Sequence, residues 1–307
     1  MIERYLQYLA SVRRYSERTR QIYREVLEEY TAYTEGAPIT PATVRDYEVW
    51  LLDAKQESPR TVNMHLSVLS GYCKFLMKNG ALAANPVKLV SRPKSESRLP
   101  VFYRKEAMEA YFSATQNYVD TEDLGMKERY EARLRRLIVS LLYNTGIRRS
   151  ELVGLTLGAV DFARRVLRVR GKGDKMREIP LVPALCQEIS LYLHSVDTMV
   201  GGGRTAADPL LVTLKGEKLY PVFVDRAVKK ELGDVVTGRK SPHVLRHTLA
   251  TELLDEGTDL NSIKELLGHS SLAATQVYTH NSIEKLRQVY NTAHPRAKTG
   301  EDYGNQD

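Results

Sequence analysis

Cysteine is scarce in this sequence: Cys73 and Cys186 stand far apart, each among apolar neighbours such as Phe75, Leu76, Leu185 and Ile189. That spacing suggests neither a disulfide framework nor a cysteine metal site, and free thiols in a reducing compartment are the simpler reading. Long hydrophobic runs are missing too. No stretch reaches the roughly 18 apolar residues that cross a bilayer, and the opening run MIERYLQYLASVRR lacks the apolar core of a secretory signal. The expected location is the cytoplasm, with no membrane partner. There is no internal repeat and no low-complexity tract. Gly201-Gly202-Gly203 is not a phosphate cradle, because no strand leads into it and no helix opening on Lys-Ser/Thr follows. With neither a nucleotide motif nor a metal-ligand set, no cofactor and no metal are expected.

What is present is basic charge and helical periodicity. The 307 residues carry a net charge of +7, which points to an acidic polymer or an anionic surface as partner. Between Arg148 and Pro180, nine basic residues stand against four acidic ones. At roughly 100–200 residues per domain, the length suits two domains. Residues 1–90 read as a small helical module. Ile22 and Val26, and Tyr23, Leu27 and Tyr30, recur at helical spacing; Val44, Tyr47 and Leu51 do so after Pro41; Ser58-Pro59 opens a third helix that Asn79-Gly80 stops. The run VKLVSRPKSESRLP, from Val87, loses periodicity and predicts a linker, set at residues 91–100. Residues 101–307 then mix helices with one hairpin, in which two strand-like runs flank Gly171-Lys172-Gly173-Asp174. The fold class is mainly α with a small β-sheet, in two domains.

Chemistry-bearing residues collect in the second domain. In LLYNTGIRRSELVGL, Gly146 permits a sharp turn that sets Arg148 beside the next helix start, a place that favours an anion; a surface ion pair is the plainer reading. In SPHVLRHTLATELLDEG, His243 and Arg246 lie three apart and are expected on one face of a helix whose buried face is Leu245, Leu249 and Leu253, although a capping histidine and a solvated arginine would look the same. In DLNSIKELLGHSSLAATQVYTH, Asp259 caps a helix that Gly268 ends, leaving His269 at the corner; Ser271 can cap the next, which carries Tyr278. A lone tyrosine is ordinarily a packing residue. Two arginines, two histidines, a lysine and a phenol nevertheless suit one reaction together, attack on a phosphodiester. Arginine forks match its non-bridging oxygens, and an acid and a base move the two protons.

At TGIRRSEL, GKGDK, HVLRHTLAT, LLGHSS and TQVYTH the sequence resembles the tyrosine recombinases of the phage-integrase type, in their Xer-like branch. The resemblance implies an N-terminal helical, SAM-like core-binding domain and a mixed α/β catalytic domain that together close as a C-shaped clamp on duplex DNA. It further implies that Arg148 and Arg246 bind the scissile phosphate and that Tyr278 forms a 3′-phosphotyrosyl link. Lys172 would protonate the leaving 5′ oxygen, His269 would hydrogen-bond the phosphate, His243 would accept a proton or help to, and Glu151 would orient the site. Leu249 stands where relatives often carry phenylalanine. Beyond Tyr278, Ile283, Leu286 and Tyr290 form a narrow apolar stripe that suits either docking on a neighbouring protomer or packing on its own domain. Implied partners are a double-stranded recombination site, a homo- or hetero-tetrameric synapse with itself or a paralogous recombinase, and a DNA translocase. Chromosome-dimer resolution is the first role the resemblance suggests. A mobile-element integrase or invertase, a type IB topoisomerase and a DNA-binding module without catalysis are the alternatives.

Overall fold

Three of the first four helices begin after a hydroxyl residue. The computed structural model describes residues 1–94, 102–116, 125–171, 174–233 and 239–268. Two units emerge, Met1–Arg98 and Leu99–Asp307, each with its own apolar core. The first holds α1 (Ile2–Ser11), α2 (Glu17–Tyr33), α3 (Pro41–Asp53) and α4 (Pro59–Lys78). Ser16, Thr40 and Ser58 cap the last three, each accepting the backbone N–H three residues on and so satisfying a donor that a helix start leaves unpaired. The predicted faces are the buried ones: Val26, Leu27 and Tyr30 meet Val44, Tyr47 and Leu51, and Val62, Leu66, Leu69 and Cys73 close the core. Burial pushes the Cys73 thiol up to about 11, so it stays an inert thiol. Within the bundle the Tyr47 hydroxyl donates to Glu29 Oε1 at 2.8 Å and lies 2.9 Å from His65 Nδ1.

Loss of helical periodicity at Val87 is not where this unit ends. A 3₁₀ turn at Pro86–Leu89 buries Val87 and Val90 in the same core. Beyond it, Asn63 Nδ2 donates to the Pro93 carbonyl at 2.9 Å and Arg92 Nη1 to Ser67 Oγ at 3.0 Å, so the chain runs along α4. Residues 95–100 of the expected linker lie outside the described residues.

The second unit is built on α6 (Met126–Thr145), whose stretch from Leu134 to Tyr143 is almost wholly buried, as its composition predicts. Around it stand α5 (Lys105–Thr115), α7 (Arg149–Val153), α8 (Pro183–Met199), α9 (Pro221–Glu231), α10 (Pro242–Asp255) and α11 (Leu260–Leu267). The sheet is antiparallel in the order β1 (Val160–Asp161), β2 (Val166–Arg170), β3 (Met176–Pro180). The two hairpin strands match expectation; the two-residue β1 is too short to show as a periodic run. Strand alternation turns Leu167, Val169, Arg177 and Ile179 inward. On the other face Glu178 receives Arg168 across the ladder at 3.1 Å and Arg164 at 3.0 Å, while Asp161 receives Arg168. The basic run is therefore laced with ion pairs instead of presenting a bare cationic strip. Among the described residues no helix is long and apolar enough to cross a membrane.

Candidate active site

Gly146 makes the corner on which this site is built. It ends α6 in the left-handed region, φ +59°, and a Cβ there would lie 2.5 Å from Leu267 and 3.0 Å from Leu249. The tight turn delivers Arg148 to the start of α7. There Glu151, one turn on, accepts the Arg148 backbone N–H at 2.8 Å and its Nη1 at 2.8 Å. Glu151 also accepts both terminal nitrogens of Arg177, at 2.8 and 3.1 Å. Burial alone would raise this carboxyl, yet the hydrogen bonds from Arg177 and Arg148 outweigh it and hold the group below the usual carboxylate range.

Arg246 enters from α10, 6% exposed, which removes the solvated-arginine reading. Its Nη1 donates to the Gly146 carbonyl at 2.5 Å and its Nη2 to the Leu267 carbonyl at 2.6 Å. Burial, then the charges of Arg148 and Arg177, push its guanidinium down to about 10, so it remains cationic at neutral pH. Of the three arginines, Arg148 and Arg177 hydrogen-bond the one buried carboxylate, and Arg246 feels its charge. Together the three take three successive carbonyls at the end of α11: Arg177 Nε on Leu266 at 3.1 Å, Arg246 on Leu267, and Arg148 Nη2 on Gly268 at 2.9 Å. A helix C-terminus is short of donors and carries partial negative charge, so it is a fitting resident for a cationic corner.

His243 does not share a face with Arg246 as the three-residue spacing suggests: it stands exposed on the first turn of α10, whereas Arg246 is drawn into the packed face by the carbonyls it bonds. Its Nε2 is 3.1 Å from His247 Nε2, with the rings edge to face. Partial burial, then His247, Arg246 and Arg239, keep the His243 pKa low, leaving the imidazole neutral and able to take a proton. Of the six expected side chains, Arg148 and Arg246 are brought together and His243 lies three residues from Arg246 on the same helix. Lys172, His269 and Tyr278 lie outside the described residues, as do Ser271 and the stripe of Ile283, Leu286 and Tyr290. Two neighbours escaped sequence reasoning. His247 sits one turn from His243, a spacing legible in HVLRH. Arg177 is in phase with Ile179 along β3, and a charged residue on the inward phase of a strand signals a buried partner.

A helical first unit and a mixed second unit that gathers guanidiniums at one helix-turn corner define a two-unit protein with a cationic corner suited to an anion. Residues 2–80 match the phage integrase N-terminal SAM-like domain, and residues 115–285 match the phage integrase family. The chain belongs to that family, the tyrosine recombinases, and is an enzyme of site-specific recombination. It is 35% identical over 301 residues to tyrosine recombinase XerC of Listeria innocua, covering 96% of this chain and 97% of that one. Identity to tyrosine recombinase XerC of Bacillus subtilis is 33%, covering 96% of each. In fold it is similar to the XerH site-specific recombinase bound to a palindromic difH substrate, at TM-score 0.67 and 19% identity, covering 97% of this chain and 83% of that one. Lambda integrase bound to DNA gives TM-score 0.64 at 20% identity, covering 90% and 92%.

Proposed function

We propose that this chain recombines duplex DNA at a specific site through a covalent 3′-phosphotyrosyl intermediate, in the Xer-type role of resolving chromosome dimers. The observation that carries the reading is the convergence of Arg148 and Arg246, from two different helices, on one corner around Glu151. Two fixed forks there suit the two non-bridging oxygens of a phosphodiester, whose charge grows in the transition state. In the first step the Tyr278 oxygen bonds to phosphorus and loses its proton, with His243 the acceptor or its helper. The bond to the 5′ oxygen breaks, and Lys172 gives that oxygen a proton. His269 donates to the phosphate. A 5′ hydroxyl of the partner strand then reverses these moves, restoring a phosphodiester and the free phenol, so no nucleotide is consumed. The helical unit, residues 1–90, grips the DNA core site, residues 91–100 join it to the catalytic unit, residues 101–307, and the two close on the duplex. Recombination proceeds in the cytoplasm within a tetrameric synapse of this chain, alone or with a paralogous recombinase, under control of a DNA translocase. The end of the chain after Tyr278 docks on a neighbouring protomer.

A suicide duplex nicked near the cleavage point tests the chemistry. The wild-type chain is expected to form a covalent adduct that survives denaturation, and Tyr278→Phe to bind the same duplex without one. Specific binding with no adduct from the wild type would leave a DNA-binding module in place of an enzyme.

A further inference from the structure

Arg177 is the most enclosed charge in the corner, 5% exposed, and none of the chemistry above uses it. Strand alternation points it into the protein, where three of its N–H donors are directed at two segments of chain. Its terminal nitrogens fork onto Glu151, and its Nε reaches the Leu266 carbonyl at the end of α11. Two glycines press against the same guanidinium. A Cβ at Gly171 would lie 3.3 Å from Arg177 Nη1 and 3.5 Å from Glu151 Oε1; a Cβ at Gly268 would lie 3.2 Å from Nη1. Gly171 precedes Lys172, Gly268 precedes His269, and Glu151 holds Arg148. One guanidinium thereby touches the chain next to three of the expected catalytic positions.

We propose that Arg177 is a positioning residue of the recombination reaction: it fixes Glu151, and through it Arg148, while pinning the chain just before Lys172 and His269. This rests on the recombinase reading. The physical requirement is plain, since a misplacement of about 1 Å of a group at the reacting phosphate costs about 100-fold in rate. Lysine cannot substitute, because an ammonium lacks the planar fork and the third donor that reaches Leu266.

Single-turnover cleavage of the nicked duplex at saturating DNA, read beside affinity for the site, tests this. Arg177→Met is expected to cleave about 100-fold slower and to bind the site within about threefold of wild type. Arg177→Lys, which keeps the buried charge but not the fork, is expected to cleave about 10-fold slower. Because Arg177 acts through Glu151, adding Glu151→Gln to either variant should slow it by no more than about threefold. A merely structural ion pair would change melting temperature and leave the cleavage rate of the folded protein alone. Should Arg177→Met fail to fold, Arg177→Lys and its Glu151→Gln combination decide. Wild-type cleavage by Arg177→Lys, or losses that multiply, overturns the inference alone. A wild-type chain without a Tyr278-dependent adduct removes the recombinase reading and this inference with it.

Discussion

Glu252 shows how one buried carboxyl sets a pH dependence. It lies on α10 facing the core, and the Tyr143 hydroxyl donates to its two oxygens at 2.9 and 3.0 Å. Burial raises it from an ordinary 4.5 to about 7, against the weaker pull of Tyr143 and Lys105. The folded state therefore binds this proton more tightly than the unfolded chain does. The contribution is full below about 4.5 and is lost as pH rises through about 7. Melting temperatures of wild type and Glu252→Gln, compared at pH 5 and pH 8, should show the variant gaining on the wild type at the higher pH. Equal differences at both values would falsify the assignment. Individual residues were legible to different degrees. Ser58, Asp259, Gly146 and Gly268 act locally, through caps and turns, and could be placed from neighbouring letters. Arg177 and Glu252 owe their roles to partners 26 and 109 positions away, which only folding brings near.

Among the elements, the α6–α7 corner constrains the site most. Gly146 combines a left-handed backbone with side chains of α10 and α11 within 3.0 Å of where a Cβ would go. Gly146→Ala should cost about 2 kcal/mol or more of stability, measured by denaturant unfolding, because backbone strain and overpacking add. A loss within about 0.5 kcal/mol would show that the corner relaxes freely. The long helices were readable because their apolar spacing repeats over several turns. β1 was not, since two residues cannot establish a period and its existence depends on pairing with Leu167 and Val166. The segment from Pro86 gives no such signal for a related reason: a single 3₁₀ turn buries Val87 and Val90 without the periodicity that advertises a longer helix.

At the scale of the whole molecule, the net charge of +7 bears on association rather than fold. For the full chain on its duplex, the logarithm of the association constant should fall linearly with the logarithm of salt, with a slope of about −5 or steeper. A slope near zero, in a filter-binding or anisotropy titration, would contradict phosphate neutralisation as the source of affinity. Fold class could be read from the sequence because each unit carries its own pattern, helical throughout the first and interrupted by a hairpin in the second. The carbonyl end of α11 carries one further implication. Three peptide dipoles serve the arginines as a built-in counterion, so the protein can fold around several hidden positive charges without an anion from solution. In the proposed reaction an incoming phosphate shares these donors with the carbonyls. A stray inorganic anion gains little by trading water for donors it must share, whereas a diester held along a whole duplex has the rest of that duplex to support the exchange.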